Sequence, residues 1–238
     1  MYEIKKDYIH GTSNVSFDDN RTDGTKYWNR QRIASSLVYQ YSFYKWVYEK
    51  YRKQPQARIL DVGCGPGTKL MHFFGKKNFE VVGIDQPDAV DYCNTKFAKY
   101  TNASFHADNF DDPVDHDLGT FDAIICSDVI EHLERPDNLL AFIKRFADDN
   151  TRIFLSTPER DRLRGKDNTR SPKVEHLREW NQPEFERFLE KSGYEVLESK
   201  IFTFMKPNLY YPHGLKYVKN VLLRLLYTNQ GVEARIKA

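Results

Sequence analysis

The residues from Asp61 to Gly67 place an acid and three glycines at alternate positions, a pattern suited to holding a ligand against the main chain. The apolar run 57–60 predicts a buried parallel strand before them, and a helical pattern resumes at 69–74. Glycines at a strand-to-helix turn tolerate positive φ and let the backbone approach a ligand closely. The spacing is Gly-x-Gly-x-Gly, whereas the dinucleotide fingerprint is Gly-x-Gly-x-x-Gly, which disfavours a nicotinamide cofactor.

A second acid, Asp85, ends the next predicted strand, which covers 79–85. It lies 18 residues beyond Gly67, where a carboxylate can accept hydrogen bonds from both hydroxyls of a ribose. An Asp at a strand end more commonly caps the helix that follows. Because Asp85 occurs together with the glycine loop, the pair predicts a nucleoside-binding site.

The glycine loop and Asp85 resemble the first two motifs of class I S-adenosylmethionine-dependent methyltransferases. In that family the loop passes under the methionine part of the cofactor, and the acid on the second strand holds the ribose. Asp108 and Asn109 after a third strand, and residues 128–133 after a fourth, resemble later family motifs. The resemblance implies S-adenosyl-L-methionine as the cofactor, with adenine held by Asp108 and the next main-chain group. The implied cofactor site comprises Asp61, Gly63, Cys64, Gly65, Gly67, Asp85, Gln86, Asp108, Asn109, Ser127 and Asp128.

Three residues are candidates for chemistry on the methyl acceptor. A methyl group on a sulfonium is already electrophilic, so the protein must mainly align the acceptor and exclude water. A hydroxyl acceptor also needs a base, and His is the usual choice near neutral pH. His132 follows the fourth strand beside Glu131, and His176 ends a basic segment. We therefore predict His176, His132 and Glu131 as catalytic residues, with a structural hydrogen bond as the alternative for each histidine.

A metal site is a further possibility at the same place. Asp128, Glu131, His132 and His176 resemble the metal-ligand set of the 3′-terminal RNA 2′-O-methyltransferases, which use two acids and two histidines. The first ligand in that family is Glu, whereas this chain has the shorter Asp128. Such oxygen and imidazole sets can hold Mg²⁺ or Mn²⁺. Metal-assisted RNA methylation is thus an alternative function, although no basic surface of RNA length is evident and nucleic acid is not the expected partner.

The acceptor is suggested by the segment 160–173, which carries six basic and two acidic residues. These charges would suit a phosphate or carboxylate on the acceptor, and a solvated surface is the alternative. The flanks at 156–161 and 176–180 resemble bacterial methyltransferases of surface-polysaccharide and glycan synthesis. The resemblance therefore implies a sugar, glycan or other small hydroxylated acceptor that can be anionic, with ubiquinone-biosynthesis O-methyltransferases as the near alternative. A cofactor-binding module without catalysis and a nucleotide-sugar or NAD-binding enzyme are the alternatives from other classes.

An α/β fold must position these groups. The resemblance implies a Rossmann-like, doubly wound, seven-stranded sheet, mostly parallel, with an antiparallel last strand and helices on both faces. Strands are predicted at 57–60, 79–85, 103–107, 121–127, 151–155, 195–204 and 232–236. Asn181 with Glu184 predicts a capping box that begins a helix ending before Gly193.

We predict one domain with four parts. They are an N-terminal arm and cap helices (1–54), a core (55–204), a helical insertion (205–230) and the last strand (231–238). The aromatic stripe within 33–48 is typical of core packing, whereas Tyr27 and Trp28 are expected near the ligand. The helix predicted at 215–226 is expected to cover the substrate end, and a helix on a membrane surface is the competing interpretation.

The composition fits a cytoplasmic α/β domain. The 238 residues carry a formal net charge of +2, which favours no polyanionic partner. Cys64, Cys93 and Cys126 form no CxxC pair, which suits a reducing compartment and suggests neither zinc nor a disulfide framework. The sequence shows no apolar signal region, and no run reaches the ~18 apolar residues of a membrane span.

Overall fold

The computed structural model describes residues 28–75, 78–167, 171, 173, 175–203, 205–206 and 226–237. Its strands are β1 (Arg58–Val62), β2 (Glu80–Asp85), β3 (Ala103–Ala107), β4 (Ala123–Ser127), β5 (Arg152–Pro158), β6 (Tyr194–Thr203) and β7 (Tyr227–Ile236). Its helices are α1 (Arg30–Ser35), α2 (Tyr41–Tyr51), α3 (Thr68–Leu70), α4 (Pro87–Lys96), α5 (Pro136–Lys144), α6 (Arg160–Arg164) and α7 (Gln182–Lys191). A π-helical turn, Met71–Gly75, continues α3, and a 3₁₀ turn covers Ile130–His132.

The strands form one sheet in the order β3-β2-β1-β4-β5-β7-β6. The first five are parallel, and β7 lies antiparallel between β5 and β6. The predicted seven-stranded, mostly parallel sheet with an antiparallel last strand is therefore confirmed. The strand order reverses between β1 and β4, and in open α/β sheets ligands bind at the carboxyl ends of the strands beside such a reversal.

Helices cover both faces of the sheet, as predicted. One apolar cluster joins β4 and β5 to α5 and α7, with Phe142 and Phe185 fully buried. The other joins β1 and β2 to α2, α3 and α4, with Phe43 and Phe74 fully buried. Burial on both faces explains why the central parallel strands are continuous apolar runs rather than alternating patterns.

Strands β5 and β7 extend well beyond their predicted bounds. We predicted that Ser156, Thr157 and Pro158 would break the fifth strand, but β5 continues through Pro158 because these residues pair with 229–231 of β7. For the same reason β7 begins at Tyr227, before the predicted strand 232–236 and within the predicted insertion 205–230. The polar residues Asn229 and Gln230 are buried in this strand, so the sequence showed no apolar run there.

Some predictions concern residues outside the described ranges. They are the N-terminal arm at 1–25, Tyr27, and the helix predicted at 215–226, of which only the last residue is described. Among the residues that the structure does describe, no helix is long and apolar enough to cross a membrane.

Candidate cofactor and acceptor site

The glycine loop joins β1 to α3. Gly63, Gly65 and Gly67 have φ values of +81°, +55° and +64°, in the left-handed region that residues with side chains disfavour. A Cβ atom added to Gly65 would lie 2.6 Å from Cζ2 of Trp28, so the Trp28 indole lies against this loop. The thiol of Cys64 is buried in the apolar core. A ligand at the loop would therefore meet glycine main chain beside an aromatic ring.

Asp85 ends β2 next to the same loop. Its Oδ2 accepts a hydrogen bond from the main-chain N–H of Gly65 at 2.7 Å, and its Oδ1 accepts one from Gln86 at 2.8 Å. Burial raises the pKa of Asp85 to about 6, against the lowering effect of these two bonds. The two motifs that the sequence predicted as a nucleoside site thus meet, and the carboxylate has further lone pairs for hydroxyl groups.

The carboxylate of Asp61 is fully buried at the end of β1. The hydroxyl of Tyr44 donates to its two oxygens at 3.1 and 2.9 Å. Burial raises the pKa of Asp61 to about 7, and both Tyr44 and the nearby ammonium of Lys69 oppose this rise. Burial also lowers the pKa of Lys69. A cationic group that binds beside this buried carboxylate would stabilise its ionised form.

The acid predicted to bind adenine, Asp108, directly follows β3. Its main-chain N–H donates to the carbonyl of Asp85 at 2.9 Å, so it adjoins the predicted ribose site. Its carboxylate accepts hydrogen bonds from the N–H groups of Asn109 (2.6 Å) and Val114 (3.2 Å), and Oδ2 lies 2.8 Å from Nε2 of His116. Asn109 itself is exposed. Contact between adenine and Asp108 stays a prediction. Such a contact would use the lone pairs of the carboxylate that these three partners leave free.

Asp128 follows β4 with a left-handed backbone, at a φ of +54°. Its Oδ1 accepts hydrogen bonds from Ser156 (2.9 Å) and Asn229 (3.0 Å), and its Oδ2 accepts one from Gln40 (2.7 Å). The Oγ of Ser127 lies 2.8 Å from that of Ser156, so both predicted residues belong to one network. The carboxylate of Asp128 is consequently held by groups from β5, β7 and the segment before α2.

Glu131, His132 and His176 lie together beyond the end of β4. One ligand atom from each residue lies within 4.8 Å of the other two. The hydroxyl of Thr157 donates to Glu131 Oε2 at 3.0 Å, and burial together with the charge of Asp128 raises the pKa of Glu131 well above its usual value. Burial and the neighbouring His176 lower the pKa of His132 to about 4, so His132 is neutral at pH 7. The three residues predicted as catalytic therefore form one cluster.

The Nδ1 atom of each histidine is engaged away from the centre of this cluster. Nδ1 of His132 lies 2.8 Å from the carbonyl oxygen of Glu175, and Nδ1 of His176 lies 2.7 Å from Oε1 of Glu179. Burial would raise the pKa of Glu179, but hydrogen bonds, first among them the one from His176, hold it at about 2. Glu179 is thus ionised and can only accept. The ring nitrogen left for a ligand is Nε2 in both histidines.

Residues 29–199, which include the glycine loop, Asp85 and this cluster, match the family described as a methyltransferase domain. The chain belongs to this family. The methyltransferase family that the sequence motifs implied is thus confirmed.

Curated relatives match part of the chain. The ubiquinone biosynthesis O-methyltransferase of Hahella chejuensis is 28% identical over 122 residues, which cover 45% of this chain and 45% of that protein. The chain thus spans about half the length of the curated relatives that it matches.

Two solved structures share the fold at low identity. A chain of the complex between the Haloferax volcanii Trm112 methyltransferase activator and a methyltransferase superposes with a TM-score of 0.71 and 14% identity, over 92% of this chain and 98% of that one. The Burkholderia thailandensis 1,6-didemethyltoxoflavin-N1-methyltransferase, solved with S-adenosylhomocysteine, gives 0.65 and 16% identity, over 92% and 87%. Likeness at these identities shows a common architecture.

The residues around the glycine loop fit S-adenosyl-L-methionine, the cofactor that the sequence resemblance implied. The left-handed glycines leave main chain open beside Asp85, which can accept from ribose hydroxyls. The buried acid Asp61 suits a ligand that carries an ammonium and a sulfonium, because each positive charge favours its ionised form. The contacts of individual residues with the cofactor stay predictions.

Sequence reasoning missed several residues of the site. Tyr44 was assigned to core packing, although it also holds Asp61, and Gln40, Asn229 and Glu179 were not singled out. Lys69 lies two residues after Gly67, so its position could have identified it. The partners Gln40 and Asn229 come from segments far from Asp128 in sequence, and no local pattern marks them.

The described part of the segment 160–173 contains a helix and two arginines in ion pairs. We expected an irregular loop over 159–180, but Arg160–Arg164 form α6. Arg160 forms an ion pair with Glu184 at 2.5 Å, and Arg164 forms one with Glu179 at 2.8 Å. Two of the six basic residues are therefore neutralised within the protein. The exposed basic residues in the described part of this segment are Arg162, Lys166 and Lys173.

Proposed function

We propose that the protein transfers the methyl group of S-adenosyl-L-methionine to a hydroxyl oxygen of a sugar, a glycan or another small hydroxylated acceptor. The observation that carries this proposal is the convergence of Glu131, His132 and His176 within 4.8 Å beyond the end of β4. A hydroxyl must lose its proton when it attacks a methyl group, so the acceptor needs a proton-accepting group beside it. The relative named as an O-methyltransferase supports the same type of acceptor atom.

His176 is the residue that we assign to this proton transfer. When bound, S-adenosyl-L-methionine supplies a methyl group that needs no further activation. Nε2 of His176 can take the proton, because Nδ1 already donates to the ionised carboxylate of Glu179 at 2.7 Å. That carboxylate would stabilise the imidazolium that forms, as the acid does in other His–carboxylate pairs. Neutral His132 would help to orient the acceptor hydroxyl beside it, and good alignment contributes ~7–11 kcal/mol.

A divalent cation at the same cluster is a second candidate, favoured by its ligand set. Two imidazole nitrogens and one carboxylate oxygen suit Zn²⁺, Mn²⁺ or Fe²⁺. With an ion there, the three residues would hold the acceptor hydroxyl indirectly and ease its deprotonation. Asp128 is not among the residues whose ligand atoms converge within 4.8 Å, and its carboxylate accepts hydrogen bonds from Gln40, Ser156 and Asn229. The set therefore has one acid rather than the two of the RNA 2′-O-methyltransferases, which makes an RNA acceptor the less supported choice.

An anionic acceptor and a cytoplasmic location belong to the same proposal. A phosphate or carboxylate on the acceptor would be met by the exposed Arg162, Lys166 or Lys173.

The three cysteines are free and buried, which suits a reducing compartment. Cell fractionation that recovers the native protein with a cytoplasmic marker would support the location, and recovery with an extracellular marker would contradict it.

The function is tested by an acceptor screen with S-adenosyl-L-methionine that carries a deuterated methyl group. The panel contains nucleotide-sugars, oligosaccharides, phenols and RNA with a free 3′ end, and products are read by mass. We expect an O-methyl product from a sugar hydroxyl. His176→Ala should lower turnover about 10²-fold or more and leave S-adenosylhomocysteine affinity nearly unchanged, whereas the exposed His72→Ala should alter neither.

The other outcomes separate the alternatives. Activity that is unchanged by a chelator supports the base, while loss restored by Mn²⁺ or Zn²⁺ supports the metal site. A methylated nitrogen or carbon would overturn the hydroxyl proposal. Tight binding of S-adenosylhomocysteine without any product across the panel would favour a cofactor-binding module that has no catalysis.

A further inference from the structure

The turn Glu175–Glu179 contacts the cluster through its main chain as well as its side chains. The N–H groups of Leu177 and Arg178 both donate to the carbonyl oxygen of Glu131, at 2.8 and 3.3 Å. The turn is therefore attached to the 3₁₀ turn that carries Glu131 and His132. This attachment brings two segments about 45 residues apart in sequence into one structure.

His132 receives its orientation from this turn. A carbonyl oxygen can only accept, so the contact of 2.8 Å between Nδ1 and the Glu175 oxygen requires the proton on Nδ1. Nε2 of His132 then carries a lone pair, and it lies 3.9 Å from Oε1 of Glu131. The contact uses main chain of Glu175, and so it does not depend on which side chain occupies that position.

His176 receives its orientation from Glu179, which is fully buried. Oε1 of Glu179 lies 2.7 Å from Nδ1 of His176 and accepts from Ser171 Oγ at 2.7 Å. Arg164 donates to both carboxylate oxygens, at 2.8 and 3.0 Å. Three donors from α6, residue 171 and the turn thus fix one carboxylate. Because they leave it no freedom to rotate, the carboxylate in turn fixes the proton of His176 on Nδ1.

We infer that the turn Glu175–Glu179 is a positioning element, and Glu179 its positioning residue, which places the proton of the neutral form of both histidines on Nδ1 and so leaves Nε2 as the ligand-facing nitrogen before any ligand binds. The use of this site in methyl transfer rests on the proposed function, but the assignment of the two tautomers does not. A neutral histidine side chain in water favours the tautomer with the proton on Nε2. Two histidines in the other tautomer therefore require specific hydrogen-bond acceptors at Nδ1. Such a site accepts either a hydroxyl proton or a divalent cation without first rearranging.

The inference is tested on the protein alone, without cofactor, acceptor or metal. Long-range ¹H–¹⁵N correlation spectra of histidine-labelled protein report the tautomer of each ring, with His132→Gln and His176→Gln used for assignment. We expect both rings in the Nδ1–H form. Glu179→Ala should move His176 to the Nε2–H form and leave His132 in place, because His132 depends on the main chain. Glu179→Gln should restore the wild-type tautomer, since the amide oxygen can still accept.

Glu184→Ala is the matched control. Glu184 is also a carboxylate that forms an ion pair with an arginine of α6, but its partner is Arg160, whereas Glu179 binds Arg164 and His176. Its removal should destabilise the segment and leave both tautomers unchanged. A wild-type spectrum with His176 in the Nε2–H form would overturn the inference, as would an unchanged tautomer in Glu179→Ala. The wild-type spectrum tests the inference by itself, so the test stands even if Glu179→Ala does not fold. The tautomers do not depend on methylation, so a failed acceptor screen would leave this inference standing.

Discussion

Gln40 and Asp128 both have left-handed backbones, at φ values of +53° and +54°, and they are joined by a hydrogen bond of 2.7 Å. Left-handed residues that are not glycine are strained, and such residues persist where surrounding contacts hold them. Here the contact connects the segment before α2 with the residue after β4, between the glycine loop and the Glu131 cluster. Strained residues that are not glycine cluster at functional sites. We therefore interpret this hydrogen bond as part of the ligand-binding site rather than of the core.

Substitution of Gln40 should reverse the usual order of alanine and glycine. Both variants lose the bond to Asp128, but only glycine relieves the left-handed strain, so Gln40→Gly should be more stable than Gln40→Ala by about 1 kcal/mol. At the exposed Lys45 within α2, alanine should be the more stable by about 1 kcal/mol. Free energies of unfolding from urea titration measure both pairs. Equal stabilities of the two Gln40 variants would show that the backbone there carries no strain.

Replacement of Asp85 should weaken cofactor binding far more than folding. Asp85→Ala removes the acceptor assigned to the ribose, and one hydrogen bond to a charged group contributes ~1.5–3 kcal/mol. The dissociation constant of S-adenosylhomocysteine, measured by calorimetric titration, should therefore rise at least about tenfold. Asp91→Ala on the exposed side of α4 is the control and should bind normally. Unchanged affinity in Asp85→Ala would remove the ribose assignment.

Local patterns in the sequence predicted much of the fold and part of the site. The third strand has its predicted bounds, and the capping box is confirmed, since Asn181 and Glu184 each accept from the other's main-chain N–H. Both depend on residues a few positions apart. The start of β7 was missed because Gln230 is buried and polar, and its amide donates to the carbonyl of Trp180 at 2.7 Å. A partner so distant in sequence leaves no periodic signal, and the same is true of the bond between Tyr44 and Asp61.

The contribution of Asp61 to the stability of the protein without cofactor should fall as the pH rises from about 4 to about 7. Asp61 has a pKa of about 7 when folded and ~3.9 when unfolded. Between these values the folded state binds more protons, so its stabilisation is fully present below pH ~4 and is lost as the pH approaches 7. Asp85, with a pKa of about 6, acts in the same direction.

Asp61→Asn isolates the contribution of Asp61, because it cannot ionise and Asp85 is retained. Urea unfolding at pH 5 and pH 8 should show a smaller loss of stability in the variant than in the wild type. Above pH 7 the variant should be at least as stable as the wild type and should bind S-adenosylhomocysteine more weakly, as expected where a binding residue costs stability. The same pH dependence in both proteins would contradict the raised pKa of Asp61.

Alanine substitutions at Gly65 and Gly165 separate what the backbone of the glycine loop requires from what ligand binding requires. Gly65→Ala and Gly165→Ala both place a Cβ at positive φ, but a Cβ on Gly65 would lie 2.6 Å from Trp28, whereas one on Gly165 would meet nothing within 4 Å. Both variants should lose about 1–3 kcal/mol of stability from backbone strain, and Gly65→Ala should lose more because its Cβ also clashes with Trp28. Only Gly65→Ala should lose affinity for S-adenosylhomocysteine, by at least about tenfold in calorimetric titration.

The double variant Trp28→Ala with Gly65→Ala then decides the cause. Removing the indole relieves the clash within the protein, so stability should recover towards that of Gly165→Ala. Affinity should stay low, because the added methyl group still occupies space that the cofactor needs beside the main chain. Recovery of affinity in the double variant would mean that Gly65 is required only to make room for Trp28, and the loop would lose its role as the surface that receives the cofactor.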